Sequence, residues 1–254
     1  IYMNKLLSIK NLNKVYYSKK DEIEAIKDIT FDIYEGEFVS IVGPSGCGKS
    51  TLLNILTNMD TKTKGTIELN KNLKLGYMLQ SDSMLPWRKV IDNALLGLEI
   101  KKEKNTENIQ YVRGLFKKYG LSNFLEKCPN ELSGGMRQRV ALIRTLALKP
   151  DILILDEPFS KLDYQSRLKV SDDVYKIIKE EGKTALMVTH DLAEAISISD
   201  RVIVLSDRPC EIKNIYKIRR EKNGSPIENR KDKNFAYYYD LIWKDLAYHD
   251  ERAS

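Results

Sequence analysis

Residues Gly43-Pro44-Ser45-Gly46-Cys47-Gly48-Lys49-Ser50-Thr51 constrain this chain more than any other stretch. They satisfy the pattern G-x-x-x-x-G-K-[ST] at every fixed position. The run Glu37-Phe38-Val39-Ser40-Ile41-Val42 before them predicts a short buried strand, and Leu52-Leu53-Asn54-Ile55-Leu56 after them predicts a helix. Strand, glycine-rich turn and helix in that order form a phosphate loop. Glycines let successive backbone N–H groups turn inward around phosphate oxygens, and the helix start adds its dipole. Lys49 is then expected to reach the β- and γ-phosphates, and Ser50 to place its hydroxyl on Mg²⁺. The pattern predicts a nucleoside-triphosphate site.

Other apolar runs lead to the same place. Residues 73–79 read as a strand that delivers Gln80. Ile152-Leu153-Ile154-Leu155 is continuously apolar, the mark of a strand covered on both faces, and it ends at Asp156-Glu157-Pro158. Residues 184–189 form a third such run, followed by His190-Asp191. In a parallel sheet, Gly43, Gln80, Asp156 and His190 would all lie along one carboxyl edge, where open α/β folds bind ligands. Adjacent carboxylates there suit a metal-orienting acid and a water-activating base. Leu132-Ser133-Gly134-Gly135 opens a helix running to about Ala147, with Ser133 as its N-cap. Two glycines at a helix mouth cost stability. They answer either a packing constraint or an anion that must approach the backbone, which would be a second phosphate-binding helix start.

The chain between these points is mixed. Residues 6–15 read as a first strand, ended by Tyr16-Tyr17. An aromatic just upstream of a phosphate loop either stacks on adenine or is an ordinary strand-end tyrosine. Residues 19–24 read as a charged turn, 25–34 as a second strand and 66–69 as a short one. Asn58 is placed at a helix C′ position, where it tolerates left-handed backbone. Met84-Leu85-Pro86-Trp87 is either core or an apolar docking surface. From 90 to 128 the apolar spacing is helical throughout, with Gly120 and Pro129 punctuating its end. Further on, 165–181 and 192–199 read as helices and 202–205 as a strand. The remainder is charged and weakly patterned until an amphipathic helix at 235–247, with His249 in a solvated tail.

At 254 residues and 42% hydrophobic content, the chain suits one large α/β domain or a core with a smaller insert. No run approaches the roughly 20 apolar residues of a membrane span. No apolar stretch with a small-residue cleavage site opens the chain, so secretion is not expected, and Ile1-Tyr2, ahead of Met3, carry no weight in the fold. Cys47, Cys128 and Cys210 lack metal-ligand spacing and read as reduced thiols of a cytosolic protein. The net charge of +6 is scattered, with no basic helix carrying interleaved aromatics. Nucleotide phosphates or an anionic membrane surface explain it as well as nucleic acid does.

With the phosphate loop, Gln80, Leu132-Ser133-Gly134-Gly135, the strand ending at Asp156-Glu157-Pro158 and His190 in this order, the chain resembles the ATP-binding cassette (ABC) ATPases. The likeness covers roughly residues 6 to 215. The Leu-Ser-Gly-Gly element separates this family from other phosphate-loop proteins. Leu85-Pro86-Trp87 with Asp92-Asn93, and Thr189-His190-Asp191-Leu192-Ala193-Glu194-Ala195 with Asp200-Arg201 and Arg208-Pro209, look like the importer group for nitrate, sulfonate, taurine and related solutes.

The resemblance implies an α/β fold of the RecA-like phosphate-loop NTPase kind, a parallel sheet core with an N-terminal antiparallel β part and an all-helical insert. It divides the chain into 3–88 (β part and first half of the core), 89–131 (helical insert), 132–220 (signature helix and second half of the core) and 221–254 (C-terminal tail). It implies ATP and Mg²⁺ as cofactors. Tyr16 matches the adenine-stacking aromatic, with Tyr17 as the alternative. Gly43, Pro44, Ser45, Gly46, Cys47, Gly48, Lys49, Ser50 and Thr51 form Walker A, and Gln80 touches the metal and the attacking water. Asp156 is the Walker B acid, Glu157 the general base and His190 the switch histidine on the γ-phosphate. Ser133, Gly134 and Gly135 contact the γ-phosphate held by the other subunit, and Asp163 lies at the dimer interface.

Implied partners are a second copy of the chain, transmembrane permease subunits docking near Gln80 and Trp87, and an extracytoplasmic solute-binding protein. No nucleic acid is expected, and the chain would sit in the cytoplasm, peripheral on the inner face of the membrane. Lys161, Asn58 and Cys210 depart from the family pattern at positions away from the catalytic ones. Alternative readings are an exporter ATPase, a soluble cassette ATPase on ribosomes or DNA, and a binding module without hydrolysis. Ribosome- and DNA-acting cassettes usually carry two cassettes or a long coiled-coil insert, and the presence of Glu157 counts against the last reading.

Overall fold

The structure, a computed structural model, describes residues 4–18, 21–70, 72–222 and 224–247. In chain order its elements are β1 (Lys5–Tyr17), β2 (Glu22–Tyr34), β3 (Phe38–Val42), α1 (Lys49–Leu56), β4 (Lys64–Leu69), β5 (Leu75–Met78), α2 (Val90–Ile100), α3 (Thr106–Lys118), α4 (Gly134–Leu146), β6 (Ile152–Asp156), α5 (Tyr164–Glu180), β7 (Thr184–Val188), α6 (Leu192–Ile198), β8 (Arg201–Leu205), β9 (Ile212–Lys217), α7 (Pro226–Asn229) and α8 (Phe235–Ala247).

Two sheets organise them. A six-stranded sheet has the order β5-β6-β7-β3-β8-β9, parallel except for β9, which pairs antiparallel with β8 at the edge. Every residue of β3 and β7 is buried, because helices or the second sheet cover both faces. The second sheet is antiparallel, order β2-β1-β4. Helix α1 lies between the two: Leu52, Leu53, Ile55 and Leu56 share a core with Ile9 and Leu12 of β1 and with Ile154 and Val188 of the parallel sheet. On the opposite face α4 and α5 pack with the helices α2 and α3, joined through Leu95, Val112, Phe116, Val140 and Val174. Between β5 and α4 the described residues contain only helices and two 3₁₀ turns, as the helical periodicity predicted. Among the described residues no helix is long and apolar enough to cross a membrane.

Three expectations change. β2 starts at Glu22 because its pairing with β1 extends to Tyr17 opposite Glu22, so the charged turn is shorter; Lys19 and Lys20 lie outside the described residues. β9 falls where the pattern read as weak. It is an edge strand with partly or wholly exposed residues, so it carries no two-sided apolar run. Helix α7 also falls in the charged, weakly patterned stretch, where no element is expected. It is a single turn, begun by Ser225 and Pro226 with Glu228 closing a capping box. Asn58 does take the left-handed conformation, at φ 58°. His249 and Ile1-Tyr2 lie outside the described residues.

Candidate functional site

The strand order puts the ends of β5, β6, β7 and β3 side by side, so Gln80, Asp156, Glu157, His190 and Gly43 share one sheet edge. The phosphate loop leaves β3 and turns into α1 at Gly48. That residue adopts φ 128°, and a Cβ there would meet the Ala25 carbonyl oxygen at 3.0 Å and Cys210 Cβ at 3.2 Å. Only glycine meets both demands. No side chain caps α1 and no acidic residue occupies its first turn. Its leading N–H groups therefore face the loop without an internal acceptor, as an anion site requires. Lys49 is buried and donates from Nζ to the carbonyls of Gly43 at 2.8 Å and Pro44 at 2.7 Å, which folds its ammonium over the loop. Arg208 secures the loop from outside by donating to the Gly46 carbonyl at 2.8 Å.

The acids sit beside this cradle. Asp156 ends β6, accepts from the Tyr77 hydroxyl at 3.2 Å, and has its carboxyl pushed above the usual range by burial. Glu157 follows in left-handed backbone, φ 42°. That conformation is costly for a residue with a side chain. It is held from both sides, since Glu157 N–H donates to the Val188 carbonyl at 2.9 Å and its carbonyl accepts from the Ser160 hydroxyl at 3.0 Å. Glu157 Oε2 accepts from Gln80 Nε2 at 3.0 Å and lies 3.2 Å from His190 Nδ1.

Tyr16 stands at the rim, 41% exposed. Its hydroxyl donates to Asp60 Oδ2 at 2.6 Å, and Lys14 Nζ lies 4.5 Å from the ring centroid while also donating to Asp60. One ring face is thus backed by a cation. Tyr17 is 70% exposed and has no such brace among the described residues.

Ser133, Gly134, Gly135 and Asp163 gather elsewhere. They line a cleft of about 510 Å³ with Arg139, Lys161 and Lys169, which includes no residue of the phosphate loop. Ser133 caps α4 by accepting from Met136 N–H, and Asp163 caps α5 by accepting from Ser166 N–H at 3.0 Å. A Cβ on Gly135 would approach Val170 Cγ2 to 2.6 Å, so packing of α4 on α5 by itself demands glycine there.

Sequence reasoning passed over Tyr77, Asp60, Lys14 and the hold of Arg208 on Gly46. Each reaches the site through tertiary contact, with no local spacing to reveal it. The Met84–Trp87 cluster divides: Met84 is buried, whereas Trp87 is 76% exposed on a loop pinned by buried Asn93, which bonds Leu85 in both directions.

A phosphate loop at the edge of a parallel sheet, with paired acids at the end of the strand one place removed, defines a nucleotide-hydrolysing phosphate-loop protein. The family described as ABC transporter matches residues 26–160, and the chain belongs to it. An uncharacterized ABC transporter ATP-binding protein of Bacillus subtilis, YtlC, is 41% identical over 94% of this chain and 95% of its own length. The taurine import ATP-binding protein TauB of Jannaschia sp. is 38% identical, covering 89% of this chain and 87% of TauB. The nitrate import ATP-binding protein NrtD of Synechocystis sp. is 38% identical over 93% of both. Among solved structures, a dimeric post-hydrolysis state of the cassette MJ0796 bound to ADP and Pi superposes with a TM-score of 0.70. It is 33% identical and covers 84% of this chain and 99% of that one. The chain is an ATP-binding and ATP-hydrolysing subunit of an ABC transporter.

Proposed function

We propose that two copies of this chain clamp two ATP molecules, each between the phosphate loop of one copy and the Ser133–Gly135 helix mouth of its mate, and that the cycle powers import of a small solute. One observation carries the reading. The phosphate loop at the sheet edge and the Ser133–Gly135 helix mouth lie apart on one molecule, the latter in a cleft that includes no residue of the loop. A two-fold pair unites them from a single patch. The dimeric ADP-bound relative supports the pairing.

In each composite site the loop N–H groups and Lys49 spread charge on the transferring phosphoryl group. Glu157 orients and deprotonates water, held in place by Gln80 and His190. Tyr16 offers its uncapped face to the adenine. Gly43, Pro44, Ser45, Gly46, Cys47, Gly48 and Thr51 shape the cradle, and Asp163 faces the mate. Ser50, Gln80 and Asp156 supply the hard oxygen donors that suit Mg²⁺, which would neutralise phosphate charge.

Lysine, loop and acids bind ATP most fully in the closed pair, so loss of the γ-phosphate reopens it. The helical unit 89–131, between the core halves 3–88 and 132–220 and apart from the tail 221–254, packs through Leu95 and Phe116 against α4 of the second half and moves with it. Asp82, two residues beyond Gln80 in the same loop, accepts from Arg137 of α4 at 3.0 Å and ties that loop to α4. Exposed Trp87 on its Asn93-pinned loop receives a cytoplasmic helix of a permease subunit, placing the chain on the inner membrane face. A separate solute-binding protein delivers the cargo, of the taurine, nitrate or sulfonate class by the names of the relatives. Co-expression with the permease subunits of a candidate import system tests this: Trp87→Glu should lose the co-purification that the unaltered chain shows, while keeping ATP binding. Retained co-purification would remove Trp87 from the docking surface.

A further inference from the structure

Cys47 and Cys210 are 163 positions apart yet meet beneath the phosphate loop. Cys47 is 2% exposed and Cys210 fully buried. The strand-like segment that carries Cys210 is tied to β2, with Cys210 N–H donating to the Ala25 carbonyl at 3.1 Å and Lys27 N–H donating to the Cys210 carbonyl at 3.0 Å. This brings Cys210 Cβ to 3.2 Å from the position a Gly48 side chain would take. Cys47 and Cys210 belong to one buried cluster under the loop, and Lys49 Nζ stands 3.9 Å from the Cys47 sulfur.

We propose that Cys47 and Cys210 form an oxidation site, at which a hydroperoxide converts the two thiols to a disulfide and closes the phosphate loop to ATP. The inference rests on the reading of Gly43–Thr51 as the ATP cradle. Its chemistry follows from the surroundings. The thiol of Cys210 and the ammonium of Lys49 favour the thiolate of Cys47 and bring its pKa down to about 6 against the effect of burial, while Cys210 is pushed up. Thiolate is the attacking species. Its sulfur takes the distal oxygen of the hydroperoxide, the O–O bond breaks, and the departing alkoxide takes a proton to leave as alcohol or water. Cys47 is now a sulfenic acid. The Cys210 sulfur attacks it, giving up its proton; the S–S bond forms as the S–OH bond breaks and water departs. Two thiols lose two electrons, and one peroxide gains them.

The consequence is local. A disulfide draws the sulfurs to about 2.05 Å. The loop at Cys47 is then tied to a segment anchored on β2, and the sulfur beside Lys49 can no longer carry a thiolate charge, just where the phosphates are to bind. Bound ATP covers the loop and is expected to slow the reaction. Cys128, only partly buried and remote in sequence from both, serves as an internal control.

The experiment treats the full-length protein with hydrogen peroxide, alkylates the remaining thiols, and maps peptides without reduction. In parallel it measures binding of a fluorescent ATP analogue and ATP turnover before oxidation, after it, and after dithiothreitol. The expected result is a Cys47–Cys210 linked peptide pair, loss of analogue binding and turnover, recovery on reduction, and slower linkage with Mg-ATP present. Cys210→Ser should keep turnover before oxidation and yield no linked pair. Peroxide that leaves Cys47 and Cys210 alkylatable overturns the inference, and so does a linked pair that binds the analogue as well as before. If the reduced protein binds no ATP at all, the cradle reading fails instead, whatever the peptides show.

Discussion

Gln80 Nε2 donates to Glu157 Oε2 at 3.0 Å across 77 positions of sequence, and the same oxygen lies 3.2 Å from His190 Nδ1. Three neighbouring strand ends thus converge on one carboxylate. If Gln80 and His190 position this group, Gln80→Ala or His190→Ala should lower kcat, by up to about 100-fold for a displacement on the order of 1 Å. ATP affinity should stay unchanged. Steady-state ATPase assays beside equilibrium ATP binding separate the two, and unchanged turnover in both variants would free Glu157 from these braces.

Tyr16 bonds Asp60 at one end and carries the Lys14 ammonium on one face. Removing a stacking platform costs about 1–3 kcal/mol, so Tyr16→Ala should raise the Kd for ATP roughly 5- to 160-fold. Tyr16→Phe keeps the ring and should retain most of the affinity. An unaltered Kd in the alanine variant would make Tyr16 an ordinary strand-end residue.

Gly135 faces Val170 so closely that an added Cβ would come within 2.6 Å of Cγ2. Gly135→Ala should destabilise by about 1–3 kcal/mol through overpacking. Pairing it with Val170→Ala should restore the thermal midpoint. If the midpoint recovers and turnover does not, the glycine serves the nucleotide as well as the packing; if both recover, packing is its whole role.

Much of this was legible before any fold was in view. β3, β6 and β7 are buried on both faces, so their apolar runs stand out unbroken, and the loops after them inherit their position at the sheet edge. Less visible was anything that depends on one-sided burial or distant contact. β9 pairs on one side only and keeps partly exposed polar residues. The two readings of the Gly134-Gly135 pair could not be separated by sequence, because Val170 lies 35 positions beyond Gly135. The pairing of Cys47 with Cys210 depends on a segment that docks on β2, which no spacing announces.

Glu194 is 4% exposed, and burial pushes its carboxyl up to about 7, with Asp191 adding to the rise and the Thr189 hydroxyl opposing it. Its Oε1 has no partner among the described residues. Between its ordinary value of 4.5 and about 7 the folded state therefore holds more protons than the unfolded chain. Stability should fall as pH rises through that window, with a slope approaching about 1.4 kcal/mol per pH unit. Glu194→Gln should flatten this slope. Urea midpoints from pH 5 to 8 decide it, and identical slopes in the two proteins would place the titration elsewhere.

In the proposed cycle ATP joins two copies through composite sites. Glu157→Gln keeps the cradle and Ser133 but disables water activation, so turnover should fall about 10²- to 10⁴-fold. Light scattering after size exclusion, with saturating Mg-ATP and then with Mg-ADP, measures it most directly. A dimer in ATP that returns to monomer in ADP is predicted; a variant that binds ATP yet stays monomeric would rule out the ATP-sandwiched pair.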